Sequence, residues 1–126
     1  MSDPTNTVSV PLILRWARCL GLARGMVKMP GTGERPAQTL ELYSAEGCPM
    51  CRRVRETLTE LDLDYVHKSC PRGDSPNRRD LVRRGGKMQV PYLVDPNRGV
   101  EMYESTRIVR HLLEHYGPND TAELRA

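Results

Sequence analysis

The stretch from Thr39 to Lys68 sets the architecture, because it holds two strand-like runs separated by one amphipathic helix and little else. TLELY alternates, with Leu40 and Leu42 on one face. From Pro49 to Leu61 the apolar residues Met50, Val54, Leu58 and Leu61 recur at a helical period, and Arg52 and Glu56 form an i,i+4 pair on the wet side. LDYVHK, residues 63–68, is the second strand. A helix that crosses over between two neighbouring strands forces them to run parallel.

The rest of the chain completes that sheet. SCPRGDSPNRR is a loop opening a short helix, about Pro76 to Arg84, that the Gly85-Gly86 pair ends. VPYLVD and GVEMY, joined by Pro96, Asn97, Arg98 and Gly99, form an antiparallel hairpin. ESTRIVRHLLEHYG is the last helix, with Ser105, Ile108, Val109, Leu112 and Tyr116 on one face and Gly117-Pro118 as its stop. The expected order is βαβ, a helix, then ββα: an α/β fold with a four-stranded mixed sheet flanked by helices. One domain over 39–117 follows, large enough to bury a core without staples.

Flanking segments differ in character. Residues 29–38, MPGTGERPAQ, hold two prolines and two glycines and read as a linker; residues 118–126 are a tail. Residues 1–28 form an extension with an amphipathic helix from about Pro11, carrying Leu12, Trp16, Cys19, Leu20 and Ala23 on one side and Arg15, Arg18 and Leu22 on another. Its longest uncharged stretch, Pro4 to Leu14, is 11 residues, against roughly 20 needed to span a bilayer. No basic residue precedes that stretch, so neither a signal peptide nor a membrane span is expected. Docking on its own domain is the plainer role for this helix, and contact with a membrane surface or a partner is the other.

A formal net charge of +3 falls well short of the basic stripe of a dedicated nucleic-acid binder, and no nucleic-acid partner is expected. Four cysteines, at 19, 48, 51 and 70, show no disulfide framework, so a reducing, cytoplasmic setting is expected and the CxxC is chemical in purpose.

In EGCPMCRRVRETL, Pro49 suits the first helical position because it has no amide proton to leave unpaired, and Cys48 then sits just outside the helix. Unpaired backbone N–H groups and the helix dipole there favour a thiolate; Arg52 and Arg53 add positive charge and Glu46 opposes it. An ordinary thiol with pKa about 8.5 is only about 3% ionised at pH 7, so such tuning matters. Cys51, nearly one turn on, returns to the same face and can attack a mixed disulfide on Cys48. Thiol–disulfide chemistry is the favoured reading of the pair, with half a metal site and inert packing as alternatives.

Zinc needs four ligands and the single CxxC supplies two, so no metal is expected. His67 and Cys70 complete a set only on paper. His111 and His115 share an i,i+4 face, but Leu112 stands where a zinc protease would carry Glu, and both are expected on a solvated face with Arg107 and Glu114. Cys70, near Arg72, Arg78 and Arg79, reads as an ordinary loop cysteine, with glutathionylation the alternative. RGD at 72–74 is treated as chance, and the arginine-rich run to Arg84 as a solvated helix face.

Three segments, CPMC at 48–51, QVPYLVDP at 89–96 and YESTRIVRHLLEHYG at 103–117, together resemble the glutaredoxins and the N-terminal, thioredoxin-like domain of glutathione transferases. The resemblance covers residues 39–117 and implies a thioredoxin-like (glutaredoxin) fold. It implies that Pro91 is cis and faces the active cysteine, and that Val90 offers its backbone to the cysteinyl part of glutathione. It assigns the γ-glutamyl end to Glu104 and Ser105, whose plainer role is to start a helix. Gln89 and Lys87 are candidates for the remaining polar contacts. Met50 stands where many glutaredoxins carry Tyr, and EST is transferase-like where glutaredoxins carry an acidic pair.

What the resemblance implies is a glutathione-dependent thiol–disulfide oxidoreductase acting on glutathionylated or disulfide-bonded proteins, with Cys48 attacking and Cys51 resolving. Its rivals are an iron–sulfur carrier in which two chains share a cluster through Cys48 and glutathione, and a non-catalytic glutathione-binding adaptor recruited through the N-terminal helix. No all-helical second domain follows Ala126, so a transferase with its own electrophile pocket is not expected.

Overall fold

A computed structural model of the chain describes residues 25–29 and 35–118. The expected N-terminal helix, the middle of the linker and the tail beyond Pro118 lie outside the described residues. Among the latter no helix is long and apolar enough to cross a membrane.

Strand β1 (Leu40–Ser44) leads through Ala45–Gly47 into helix α1 (Pro49–Glu60), which returns the chain to β2 (Tyr65–Ser69). Helix α2 (Pro76–Gly85) follows, then β3 (Tyr92–Asp95), β4 (Val100–Tyr103) and α3 (Ser105–Tyr116). The sheet order is β2-β1-β3-β4. β1 and β2 are parallel, with Leu40 opposite Tyr65, while β3 is antiparallel to both β1 and β4. This is the mixed, thioredoxin-like sheet that the sequence predicts, with β2 two residues later than its apolar pattern begins. The displacement has a local cause: Leu63 is drawn into the core after a turn at Asp62, whose φ is 55°, so extended pairing starts only at Tyr65.

Alternation on β1 divides the interior in two. Leu40 and Leu42 face α1 and α3, packing with Val54, Leu58, Leu61, Leu93, Ile108, Leu112 and Tyr116. Tyr43 faces the other way, with Tyr92, Val94, Cys70 and Leu81 of α2. Each buried leucine or isoleucine of the first cluster contributes about 1.5–3 kcal/mol of transfer free energy. Tyr43 stands opposite Tyr92 and Tyr92 opposite Tyr103, so three rings form a cross-strand row with centroids 5.9 and 4.5 Å apart. Helix α2 covers that row: Arg84 reaches the Tyr43 hydroxyl at 3.3 Å and Glu101 at 3.1 Å, and Tyr92 donates to Glu101 at 2.8 Å.

The ends of the expected linker are tied down. Met29 is buried in the first cluster and its N–H donates to the Glu60 carbonyl at 2.6 Å. Arg35 pairs with Asp62 at 2.9 Å, and Gln38 is bracketed by Asn97 through its N–H and its carbonyl.

One expectation for α3 fails. His111 is buried, and its Nε2 lies 2.8 Å from Asp95. Asp95, at the end of β3, is fully buried and also accepts from the Tyr116 hydroxyl at 2.7 Å and from Asn97. A buried carboxylate needs such donors, and α3 supplies two of them: Tyr116 from the face expected in the core and His111 from the face assigned to solvent. Burial pushes the Asp95 carboxyl up, but the bonds from Tyr116, His111 and Asn97 outweigh it and hold it below its ordinary range. His115 is half-buried beside it, 4.6 Å from the His111 ring, and burial lowers its pKa.

Asp95→Ala strands these donors and should cost on the order of 3 kcal/mol. Because the folded pKa is depressed, the carboxylate's contribution is complete above the unfolded value of about 3.9 and is lost as pH falls through the lower folded value. Denaturant unfolding at pH 7 and pH 3 checks this: the deficit of Asp95→Asn relative to the unsubstituted chain should shrink at acid pH, and an unchanged deficit would contradict the assignment.

Candidate active site

Strand direction brings the candidate residues to one end of the sheet. β1 and β2 both finish there, β3 starts there, and β4 finishes beside it. Cys48 follows β1, Val90 and Pro91 precede β3, and Glu104 and Ser105 follow β4. Two bonds tie this end together: the Cys70 N–H donates to the Ser44 carbonyl at 2.9 Å, and the Ser105 hydroxyl donates to the Met50 sulfur at 3.5 Å. The second joins the start of α3 directly to the CPMC turn.

Cys48 is the N-cap of α1, with extended backbone (φ −87°, ψ 116°) and Pro49 at the first helical position. Its Sγ accepts from the Cys51 N–H at 3.3 Å, which is capping by sulfur in place of the usual oxygen. Burial pushes the Cys48 thiol up, but hydrogen bonds from the Cys51 thiol and the Cys51 and Met50 N–H groups, with the charge of Arg55, hold it below the ordinary value. Cys48 is half-buried and so remains open to a partner.

Cys51 has the opposite character. It is fully buried, and burial followed by its bond to the Cys48 sulfur pushes its thiol up to about 12. The pair is therefore asymmetric: the Cys48 thiol is held below its ordinary range and the Cys51 thiol above it. Both are free thiols, as is Cys70.

The cation that bears on Cys48 is Arg55, and the assignment of that role to Arg52 and Arg53 is corrected. Arg52 turns to Glu56 at 3.2 Å and Arg53 faces solvent. Arg55 lies seven residues after Cys48, almost two full turns and so on nearly the same side of the helix. Its Nη1 donates, at 3.4 Å in each case, to Ser44 Oγ and to the Ala45 carbonyl. That carbonyl also accepts the Cys48 N–H at 3.2 Å, so Arg55 braces the turn that carries the sulfur. Ser44 Oγ is in addition 2.5 Å from His67 Nε2 on β2. Sequence proximity hid both Arg55 and Ser44; the i+7 spacing was the available signal.

The Val90–Pro91 peptide is cis, and Pro91 is fully buried. Val90 is half-buried against the second cluster, and Gln89 is exposed. Glu104 is exposed and held at φ 73°, a conformation costing a non-glycine residue on the order of 1 kcal/mol. It is the N-cap of α3, its carbonyl accepting the Ile108 N–H at 3.0 Å, while its side chain makes no capping bond. Ser105 is buried. Lys87 is turned onto the Tyr103 ring, 4.7 Å from its centroid.

Cys70 lies in the loop after β2, as expected of an ordinary loop cysteine. It is buried in the second cluster, its thiol donates to the Lys68 carbonyl at 3.6 Å, and burial raises its pKa, all of which disfavour glutathionylation of the folded chain. His67 is engaged by Ser44, and among the described residues no group of three or more His, Cys, Asp or Glu could hold a metal ion.

Residues 42–120 match the family described as glutathione S-transferase, N-terminal domain. The glutathione S-transferase-like protein tpcF of Aspergillus fumigatus is 32% identical over 82 residues, which is 65% of this chain and 36% of that protein. The crystal structure of a glutathione S-transferase from the Antarctic clam Laternula elliptica is 28% identical, with a TM-score of 0.55 over 68% of this chain and 41% of that one. Glutathione transferase E6 from Drosophila melanogaster is 27% identical, with a TM-score of 0.56 over 67% and 37%. The chain thus spans about two fifths of the length of the relatives it matches.

Alkylation of Cys48 by iodoacetamide should show a midpoint pH below that of free cysteine, whereas Cys51 and Cys70 stay unmodified until the chain unfolds. Arg55→Gln should raise that midpoint, slowing alkylation several-fold at pH 7 while leaving the plateau rate at high pH unchanged. Rate-against-pH profiles with mass spectrometric site assignment check both outcomes, and a midpoint unmoved by Arg55→Gln would remove its electrostatic role.

Proposed function

We propose, since this chain belongs to the glutathione S-transferase N-terminal domain family, that it is a glutathione-dependent thiol–disulfide oxidoreductase with Cys48 as nucleophile. The observation that carries this reading is the asymmetric pair: a half-buried sulfur at the start of α1 that accepts the Cys51 N–H and has its pKa lowered, and a buried thiol three residues on whose pKa is raised. A transferase that only activates glutathione for attack on an electrophile has no use for the second thiol.

The Cys48 thiolate attacks the glutathione sulfur of a glutathionylated protein. A bond forms between Cys48 and that sulfur, the protein–glutathione disulfide breaks, and the protein leaves as a thiolate that takes a proton from water. The thiolate of a second glutathione then attacks the mixed disulfide on Cys48, forming oxidised glutathione and restoring the Cys48 thiolate. Glutathione supplies both electrons. With a protein disulfide, Cys51 loses its proton and attacks the Cys48 sulfur, and two glutathiones afterwards reduce the Cys48–Cys51 bond.

The residues around the sulfur suit glutathione as the donor. Glu104, exposed and without a side-chain capping bond, can meet the ammonium of the γ-glutamyl end, while Ser105 and the first N–H groups of α3 meet its carboxylate. Val90, with its backbone at the entry to β3, can pair with the cysteinyl unit in the manner of an added strand, and Gln89 lies alongside. A cycle that depends on reduced thiols belongs in a reducing compartment, which sets the protein in the cytoplasm.

Cys48→Ser should abolish turnover of a glutathionylated peptide in a glutathione-coupled assay, whereas Cys51→Ser should keep that activity and lose only reduction of protein disulfides. Glu104→Gln and Ser105→Ala should each raise KM for glutathione about tenfold, equivalent to about 1.4 kcal/mol, the worth of a charge-assisted hydrogen bond. Activity that survives in Cys48→Ser would overturn the reading.

A further inference from the structure

We propose that the face built by α2 and the segment leading into β3 is a docking surface for an acidic peptide segment, which presents the disulfide of a protein substrate to Cys48. The proposal rests on the oxidoreductase reading and names its substrate class.

Charge is the first observation. Residues 72–88 hold six basic side chains and two acidic ones, a local excess of four in a chain whose whole excess is three. Part of that charge is met internally. Arg79 pairs with Asp74, Arg83 with Asp80 at 2.6 Å, and Arg84 with Glu101 at 3.1 Å and Glu41 at 3.9 Å. Lys68 also approaches Glu41, at 3.6 Å. With these strand residues counted, cations still exceed carboxylates by three. The side chains of Arg79 and Arg83 are 59% and 76% exposed, and ion pairs at such exposure contribute little and exchange readily for an incoming carboxylate.

Shape is the second. A groove of about 320 Å³ runs between α2 and the β3 approach, lined by Gly73, Asp74, Arg78, Arg79, Val82 and Met88. Val82, 43% exposed, and Met88 are its apolar lining, beside Arg78 and the Arg79–Asp74 pair. An apolar side chain flanked by carboxylates matches that arrangement in both polarity and charge.

Position is the third. Met88 lies two residues from Val90, within about 8 Å along the chain, and Gly73 follows three residues after Cys70, whose N–H is bonded at the end of β1. Both walls of the groove are thus anchored to the end of the sheet that carries Cys48. A substrate segment in the groove places a neighbouring cysteine within a few residues of the nucleophile, and the surrounding positive field raises its encounter rate at low ionic strength.

The test uses the full chain and three substrates: a glutathionylated peptide with an acidic, leucine-containing flank, the same peptide with its Asp and Glu replaced by Asn and Gln, and the small disulfide of 2-mercaptoethanol. At low salt kcat/KM for the acidic peptide should exceed that for the neutral one about tenfold, and 0.5 M salt should remove most of the difference. Arg79→Glu combined with Arg83→Glu should abolish the preference, and Val82→Asp should weaken it, with turnover of the small disulfide unchanged in both. Equal kcat/KM for the two peptides, or a preference that survives charge reversal, overturns the docking surface. Failure to reduce even the small disulfide overturns the oxidoreductase reading instead. In that event fluorescence anisotropy with a thiol-free acidic peptide still decides docking: saturable binding lost on charge reversal supports it, and no binding, or capture of anionic vesicles alone, refutes it.

Discussion

The contact between the Cys48 sulfur and the first turn of α1 is the interaction on which this end of the molecule depends. Helix termini leave N–H groups without partners, and an oxygen-bearing side chain normally fills the cap position. Here a sulfur fills it, at 3.3 Å from the Cys51 N–H, so the capping requirement of the helix and the ionisation of the thiol are coupled. Keeping the sulfur there requires a fixed turn between Ser44 and Pro49. Arg55 fixes it from the helix side through the Ala45 carbonyl, and Ser44 does so from the sheet side through His67 and through the Cys70 N–H.

The two faces of the sheet solve different problems around that turn. The face under α1 and α3 is mainly apolar, and the carboxylate buried at the end of β3, Asp95, is hydrogen-bonded locally by His111, Tyr116 and Asn97. Asn97 also clamps Gln38, so the same cluster fixes the chain just before it enters β1. The opposite face is a row of tyrosines beneath a cationic helix. Burial and then the bond to Asp80 push the Tyr43 hydroxyl up to about 12, which keeps it a neutral donor near Arg84. Tyr103 exchanges bonds with the Lys87 backbone, at 2.7 Å and 3.3 Å, fixing the approach to Val90 and Pro91. A rigid apolar face thus holds α1 and its sulfur, while the polar face positions the segment opposite it.

Most of this architecture was legible in the sequence because it is written in short-range signals. Pro49 after Cys48 marks the helix start, the alternation in TLELY marks β1, and the length of α1 dictates parallel pairing with β2. The convergence of Val90, Glu104 and Ser105 followed only from the resemblance to known sequences, since no spacing argument joins positions so far apart. His111 was misplaced for a related reason: helical periodicity ranks faces by the polarity of their side chains, and it cannot register that a carboxylate on β3 will demand two donors from α3. The burial of Cys70 was likewise invisible, since its sequence neighbours Arg72, Arg78 and Arg79 are charged and its apolar partners Tyr43, Leu81, Tyr92 and Val94 come from other elements. Arg53, closest to the motif in sequence among the cations with Arg52, lies on a different side of the helix, whereas Arg55 returns to the side of Cys48.

Under the proposed oxidoreductase reading, the pairing of a lowered thiol with one raised to about 12 bears on how the two cysteines would divide their work. A thiol that titrates so high is a poor nucleophile at neutral pH, which argues against Cys51 resolving every mixed disulfide on Cys48. Yet after burial, the next cause of its elevation is the bond to the Cys48 sulfur, with repulsion from that thiolate also contributing, and neither survives once Cys48 is itself in a disulfide. In the proposed cycle Cys51 would therefore be held in reserve while Cys48 is free and released in part when Cys48 is blocked, with burial still slowing it. A second glutathione reaching the exposed side of the same sulfur meets no such restraint. On that proposal, the ordering would favour the monothiol route whenever the incoming disulfide already contains glutathione, and would leave the dithiol route to protein disulfides that stay bound long enough for the buried proton to leave.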